Sequence, residues 1–187
     1  MSALFNYSKI KDTVNFGGML PGQNSRTHEI PVHYAGLIKA SKGYVENGEV
    51  VGLHREISEG VSVLLAVDSK ETEFASAQKG VVLADVRGQY ERFAGPNFIY
   101  KHPANTTVTV MTQGYVWVPV QDDGTIVAEA EVFVDANGGI VTTGGTKLTN
   151  AKFTGLYGYP LSSKQNGTEG SKLTGKTAEI CLGANLI

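Results

Sequence analysis

Few residues of this 187-residue chain have both the type and the spacing to do chemistry. The sharpest pattern is Gly170-Ser171-Lys172-Leu173-Thr174-Gly175-Lys176-Thr177, which has the G-x-x-x-x-G-K-T spacing of a phosphate-cradling loop. That chemistry needs a buried strand before the loop and a helix after it, so that backbone N–H groups and the helix dipole face the phosphates. Here a polar, Gly-rich stretch from Ser162 to Glu169 comes before, and Ala178 to Leu182 alternates like a strand. The pattern therefore reads as a polar loop leading into a last strand, and no nucleotide or other cofactor is expected.

The remaining candidates fail on geometry. His28 and His33, with Glu29 between them, could be imagined as metal ligands, but an odd offset puts them on opposite faces of a strand. Pro31 also breaks any helix that would bring them together. His54 and His102 stand alone, His102 before Pro103 in an expected surface loop, and no zinc spacing is present, so no metal centre is expected. Glu129 and Glu131 share one face of an expected strand, with Ala128, Ala130, Val132 and Val134 on the other. A wet face opposite an apolar one explains that pair without acid–base work. Asp122-Asp123 falls at a turn, where Asp is favoured for backbone reasons. Cys181, between Ile180 and Leu182, has no base or cation nearby and reads as a small buried residue. No catalytic residue is assigned.

Partners are bounded in the same way. A net charge of −2 and basic residues that form no stripe with aromatics argue against a nucleic-acid surface. The longest apolar run, Val61 to Val67, is far too short for a membrane-spanning helix, and no membrane association is expected. The first twenty residues lack the apolar core and cleavage site of a secretory signal, which predicts synthesis and assembly in a cytoplasm. Tyr157 and Tyr159, in the Gly- and Pro-flanked segment 155–160, are candidates for stacking on sugars or for a protein interface, and equally for the edge of a core.

What must position these residues is a β-rich scaffold. The stretch Thr106 to Val120 holds two alternating patterns, Thr107 to Val110 and Tyr115 to Val118, that meet at Gln113-Gly114. Alternation carried by β-branched and aromatic residues marks half-buried strands, and a Gly between them permits a tight hairpin or one sharply bent strand. Tyr115 and Trp117 share one face, while Val116, Val118 and Val120 share the other. A strand apolar on both faces needs two apolar partners: the core, and either a neighbouring copy or an arm folded back. Further strands are expected at Tyr34–Ala40, Val61–Val67, Gly80–Val86, Ile126–Val134, Ile140–Thr142, Ala151–Tyr159 and Thr177–Leu182. The best helical stretch is residues 70–79, and Arg87 to Asn97 reads as a loop. Twenty-three glycines punctuate the whole. The expectation is an all-β chain: a single antiparallel β-sandwich or barrel, jelly-roll-like, over residues 31–187, with little helix. Residues 1–30 form an extended N-terminal arm whose Phe5, Phe16, Met19 and Leu20 need something to pack on.

The order of segments resembles the structural cement (capsid decoration) proteins of tailed bacteriophages. Three pieces carry the likeness: Phe16-Gly17-Gly18-Met19-Leu20 followed by Ile30 to Gly36, the run Gly80-Val81-Val82-Leu83-Ala84, and Val108 to Val120 followed by the Val127 to Asp135 strand. The resemblance implies a non-enzymatic virion protein, made in the host cytoplasm. It implies binding to the major capsid protein on the outside of the capsid, stabilisation across capsomer seams, and association as a homodimer or homotrimer. An arm of roughly 20 residues could reach about 60 Å when extended. The arm residues Phe5, Phe16, Met19 and Leu20 are then the candidate shell contacts, and Tyr115 and Trp117 the candidate contacts between copies. Ser41 to Glu59 is more polar than that pattern, and Ser162 to Thr174 looks like an inserted loop. The alternative from a different class is a carbohydrate- or receptor-binding module of a tail or fibre, resting on Tyr157 and Tyr159.

Overall fold

The computed structural model describes residues 22–25, 31–84, 101–122, 124–158 and 176–183. Eleven strands run through them: β1 (Val32–Lys39), β2 (Tyr44–Glu46), β3 (Val50–Ser58), β4 (Val61–Val67), β5 (Gln78–Val82), β6 (Lys101–Pro103), β7 (Thr107–Val120), β8 (Ala128–Val134), β9 (Ile140–Val141), β10 (Thr146–Gly158) and β11 (Lys176–Leu182). The all-β expectation holds. Little helix is left: the stretch 70–79 forms only a 3₁₀ turn, Thr72–Ala75, with no buried residue to anchor anything longer.

Nine strands close into two rings that share β7. In the first, β1, β4, β3, β5 and β7 follow one another, and β7 pairs back to β1. In the second, β7, β11, β10, β8 and β9 do the same, with β9 returning to β7 at Val120↔Ile140. The barrel is thus the form taken by the expected sandwich or barrel. Both rings have five strands, and an odd ring cannot alternate direction all the way round. Each therefore contains one parallel pair, β1–β4 and β7–β9, where the sequence suggested antiparallel pairing throughout. A separate ribbon of β2 and β6 adds Val45 to the first core.

The strands β3, β5 and β7 form a wall with a core on each side. Val51, Val82 and Val110 point into one cluster with Ile38, Leu53, Ala66 and Val108. Their neighbours Val50, Val81 and Met111 point the other way, into a larger cluster built on Val116, Val118, Ile140, Phe153 and Ile180. Strands buried on both faces read as unbroken apolar runs rather than alternation, which is what Val50-Val51 and Val81-Val82 are.

The segment around Gly114 is one strand of 14 residues, not a hairpin. Pairing runs straight through it: Val32↔Gln113 on one partner and Leu182↔Gly114 on the other. Gly114 sits at φ +127, a dihedral closed to side chains, and a Cβ there would lie 3.2 Å from Pro31. The phase of alternation changes across it. Val108 and Val110 face the first core, whereas Val116, Val118 and Val120 face the second. The glycine is the point at which β7 passes from one ring to the other.

Candidate functional site

A short N-terminal segment docks on β7. Residues Gly22 to Ser25 lie antiparallel to it, bridged at Asn24↔Val116. Gly22 N–H donates to the Trp117 carbonyl at 2.8 Å, Trp117 N–H to the Gln23 carbonyl at 3.0 Å, and Ser25 N–H to the Tyr115 carbonyl at 3.0 Å. A fourth bond ties in the chain just after β5, where Ala84 N–H donates to the Gly22 carbonyl at 2.9 Å. Gly22 itself is buried at φ +78, with Ala84 N and Val82 O each 2.7 Å from where a Cβ would stand. Only a glycine fits this crossing. The segment is polar, and the side-chain oxygens Gln23 Oε1 and Ser25 Oγ are buried without a partner among the described residues. It is held by its backbone, not by apolar packing of its own.

The strand that receives Gly22–Ser25 is buried on both faces. Inward are Val116, Val118, Ala178, Ile180 and Leu182. Outward, Thr177, Glu179 and Cys181 of β11 are buried as well, and Trp117 is only 8% exposed, in register with Glu179. Cys181 is thus the buried residue its apolar flanks suggested. Trp117 is covered within one chain, so its burial does not call for a second copy, and Tyr115 beside it is half-buried. The other assigned contacts, Phe5, Phe16, Met19 and Leu20, lie outside the described residues.

The remaining chemical candidates fall as follows. Thr177 follows Lys176 in β11, so a strand and not a helix comes after the Gly-Lys-Thr step, while residues 170–175 lie outside the described residues. Glu129 sits at φ +65, which breaks the alternation that would have placed it beside Glu131, and Glu131 pairs with Lys147. His102 corrects an expectation. It is not in a surface loop but in β6, 2% exposed, with Nε2 2.6 Å from Asn47 Oδ1. Its strand is three residues long and pairs far away in sequence, Val45↔His102, so no local period announces it. His28, Asp123 and Tyr159 lie outside the described residues, whereas His33 is exposed and His54 half-buried.

Sequence reasoning missed three features. One is the Gly22–Ser25 strap, whose only trace is the Pro21-Gly22 step. The second is the β3–β4 hairpin, which turns through Glu59-Gly60 and leaves Ile57 73% exposed and Val61 similarly bare. The β1–β4 pairing begins only at Leu37↔Leu65, and the β3–β5 pairing ends at Leu53↔Gln78. The hairpin therefore projects past the ring. The third is Glu49, buried after the Asn47-Gly48 turn.

Residues 11–182 match the model of a protein family described as "Structural cement protein (E217 gp24/Pam3 gp6)". No curated protein matches the chain.

Proposed function

We propose a role that starts from one premise: this chain belongs to the phage structural cement protein family, and is a component of the virion. In that role it binds the major capsid protein on the outer face of the capsid and holds neighbouring capsomers together across their seams. It does so without catalysis, after synthesis in the host cytoplasm. Residues 31–187 act as the rigid module and residues 1–30 as the arm.

The observation that carries the proposal is the way the arm is rooted. Its last part is stitched by backbone bonds to Tyr115 and Trp117, on the strand shared by both rings. A pull on the arm is thereby spread along β7 and into β1, β5 and β11 instead of bending a surface loop. That is the mechanical property a tether between capsomers needs. Phe5, Phe16, Met19 and Leu20 supply the apolar side chains that dock on the shell, where ordering of an extended segment is offset by the contact area it gains. Self-association as a dimer or trimer belongs to the same proposal; of the two candidate contacts, the half-buried Tyr115 is the more accessible to a second copy, whereas Trp117 is covered by its own chain. The glycan-binding alternative has less behind it, since the family is a structural one, although Tyr157 is exposed on β10.

Deletion of residues 1–20 leaves Gly22 and the strap in place, and it tests the arm directly. Co-sedimentation with expanded shells should fall to background, while circular dichroism and the unfolding transition stay as in the full chain. A truncated protein that binds as well as the full one would remove the arm from the mechanism.

A further inference from the structure

The most unusual group in the described residues is a buried carboxylate between the two rings. Glu49 precedes β3 and is 6% exposed. Its Oε2 accepts from Lys42 Nζ at 2.7 Å and from Glu46 N–H at 2.9 Å. Its Oε1 is buried and has no hydrogen-bond partner among the described residues. That oxygen faces the β8–β9 turn, 3.0 Å from where a Cβ on Gly138 would stand, with the Val50 carbonyl beside the same spot. The backbone at this point joins the rings, since Val82 N–H donates to the Glu49 carbonyl and Val50 N–H to the Gly138 carbonyl.

We propose that Glu49 is a proton-operated pin between the two rings: protonation seats its second oxygen against the β8–β9 turn and releases Lys42. An ionised carboxylate needs acceptor sites filled on both oxygens, and one of them has no donor among the described residues. A neutral carboxyl turns that oxygen into a donor or a weakly demanding acceptor, which a dry position tolerates better. Lys42, no longer paired, then adds its charge to the surface beside Tyr44, whose ring it already overlooks at 5.1 Å, as Lys101 does at 4.0 Å.

The groups around Glu49 pull in opposite directions, and burial outweighs the rest. Burial pushes its carboxyl up to about 6, against the opposing pull of Lys42 and the Glu46 N–H, and the Glu46 carboxylate adds to the rise. From the β8–β9 turn the charged group is Asp135, whose Oδ1 is occupied by the Asn137 and Gly139 N–H groups. From β6 come Lys101 and His102, the latter held by Asn47. From β5 only the backbone of Val82 reaches the residue.

The pH dependence follows by linkage. The folded chain holds the proton more tightly than the unfolded chain, so this group's contribution to stability is fully present below the ordinary value of 4.5. It is lost as pH rises through about 6. A displacement of that size is about 30-fold in the folding equilibrium constant.

The test is a carbon-13 NMR titration of side-chain carboxyls, assigned through bonds to Glu49, together with urea unfolding between pH 4 and 7. Glu49 should titrate near pH 6, and Lys42→Met should move its midpoint higher, since Lys42 opposes the rise. Glu49→Gln should remove the decline of stability over this range that the wild type shows. A midpoint at or below that of an exposed glutamate, or one that Lys42→Met leaves in place, would overturn the pin. The titration needs only the wild type and the Lys42 variant, so it decides the matter even if Glu49→Gln does not fold.

Discussion

Trp117→Ala should lower the free energy of unfolding by about 3–5 kcal/mol, the usual cost of emptying a large buried aromatic site. The side chain is 8% exposed within a single chain, and its backbone N–H and carbonyl both bond to the arm root. Its partner across the sheet, Glu179, is itself buried. Truncation therefore opens a void on the outer face of β7–β11 and undercuts the Gly22–Ser25 strap at the same time. Urea unfolding measures the loss, and sedimentation velocity measures the number of associated copies. The expected pair of results is a much weaker fold with unchanged association. A variant that keeps its stability and falls to a smaller oligomer would instead place Trp117 at a contact between copies.

Gly22→Val should release the strap from β7. The left-handed dihedral at Gly22 costs a β-branched residue at least about 1–2 kcal/mol. The larger effect is steric: two backbone atoms, Ala84 N and Val82 O, stand 2.7 Å from the new Cβ, and neither belongs to a flexible side chain. Relief requires the segment to leave, which breaks the bonds at Trp117, Tyr115 and Ala84 together, at roughly 0.5–1.5 kcal/mol each. Amide hydrogen exchange should show Trp117 and Ala84 losing protection in the variant while β10 and β8 keep theirs. Undiminished protection at Trp117 would mean that the strap is not what covers this edge.

The strands were legible wherever burial follows a local period. Val61–Val67 was expected and found with the same bounds, and the last strand begins one residue earlier than its alternation suggests. The junction at Gly114 was legible as a need for an unusual dihedral but not as a direction. Nothing in Gln113-Gly114 says whether the chain turns back or runs on, because that is settled by β1 and β11 pairing on either side. The shared wall hid in plain view. Val50-Val51 and Val81-Val82 lack alternation because each valine belongs to a different core, and a single sequence cannot say that two cores exist. The β2–β6 ribbon was lost altogether, being two three-residue strands joined only by distant pairing.

Sites were less legible than strands, for related reasons. The arm root is polar and is held by backbone bonds, which leave no trace in side-chain type. Glu49 follows a turn and reads as solvated. Its burial depends on the β8–β9 turn, almost ninety residues further along the chain. The two faces of Tyr115–Val120 were legible as needing two partners, and the fold supplies cover for both within one chain. What belonged to the family, the order of segments across most of the chain, was carried by short motifs that lie within the match over residues 11–182.

The central claim is that this protein reinforces a shell, and heating decorated shells tests it most directly. Expanded capsids lacking the protein would be repleted with the full chain and followed by light scattering and by the release of capsid subunits. The account predicts that saturating amounts raise the disruption temperature, and that protein lacking residues 1–20 gives no such rise. Full binding with an unchanged disruption temperature would contradict it.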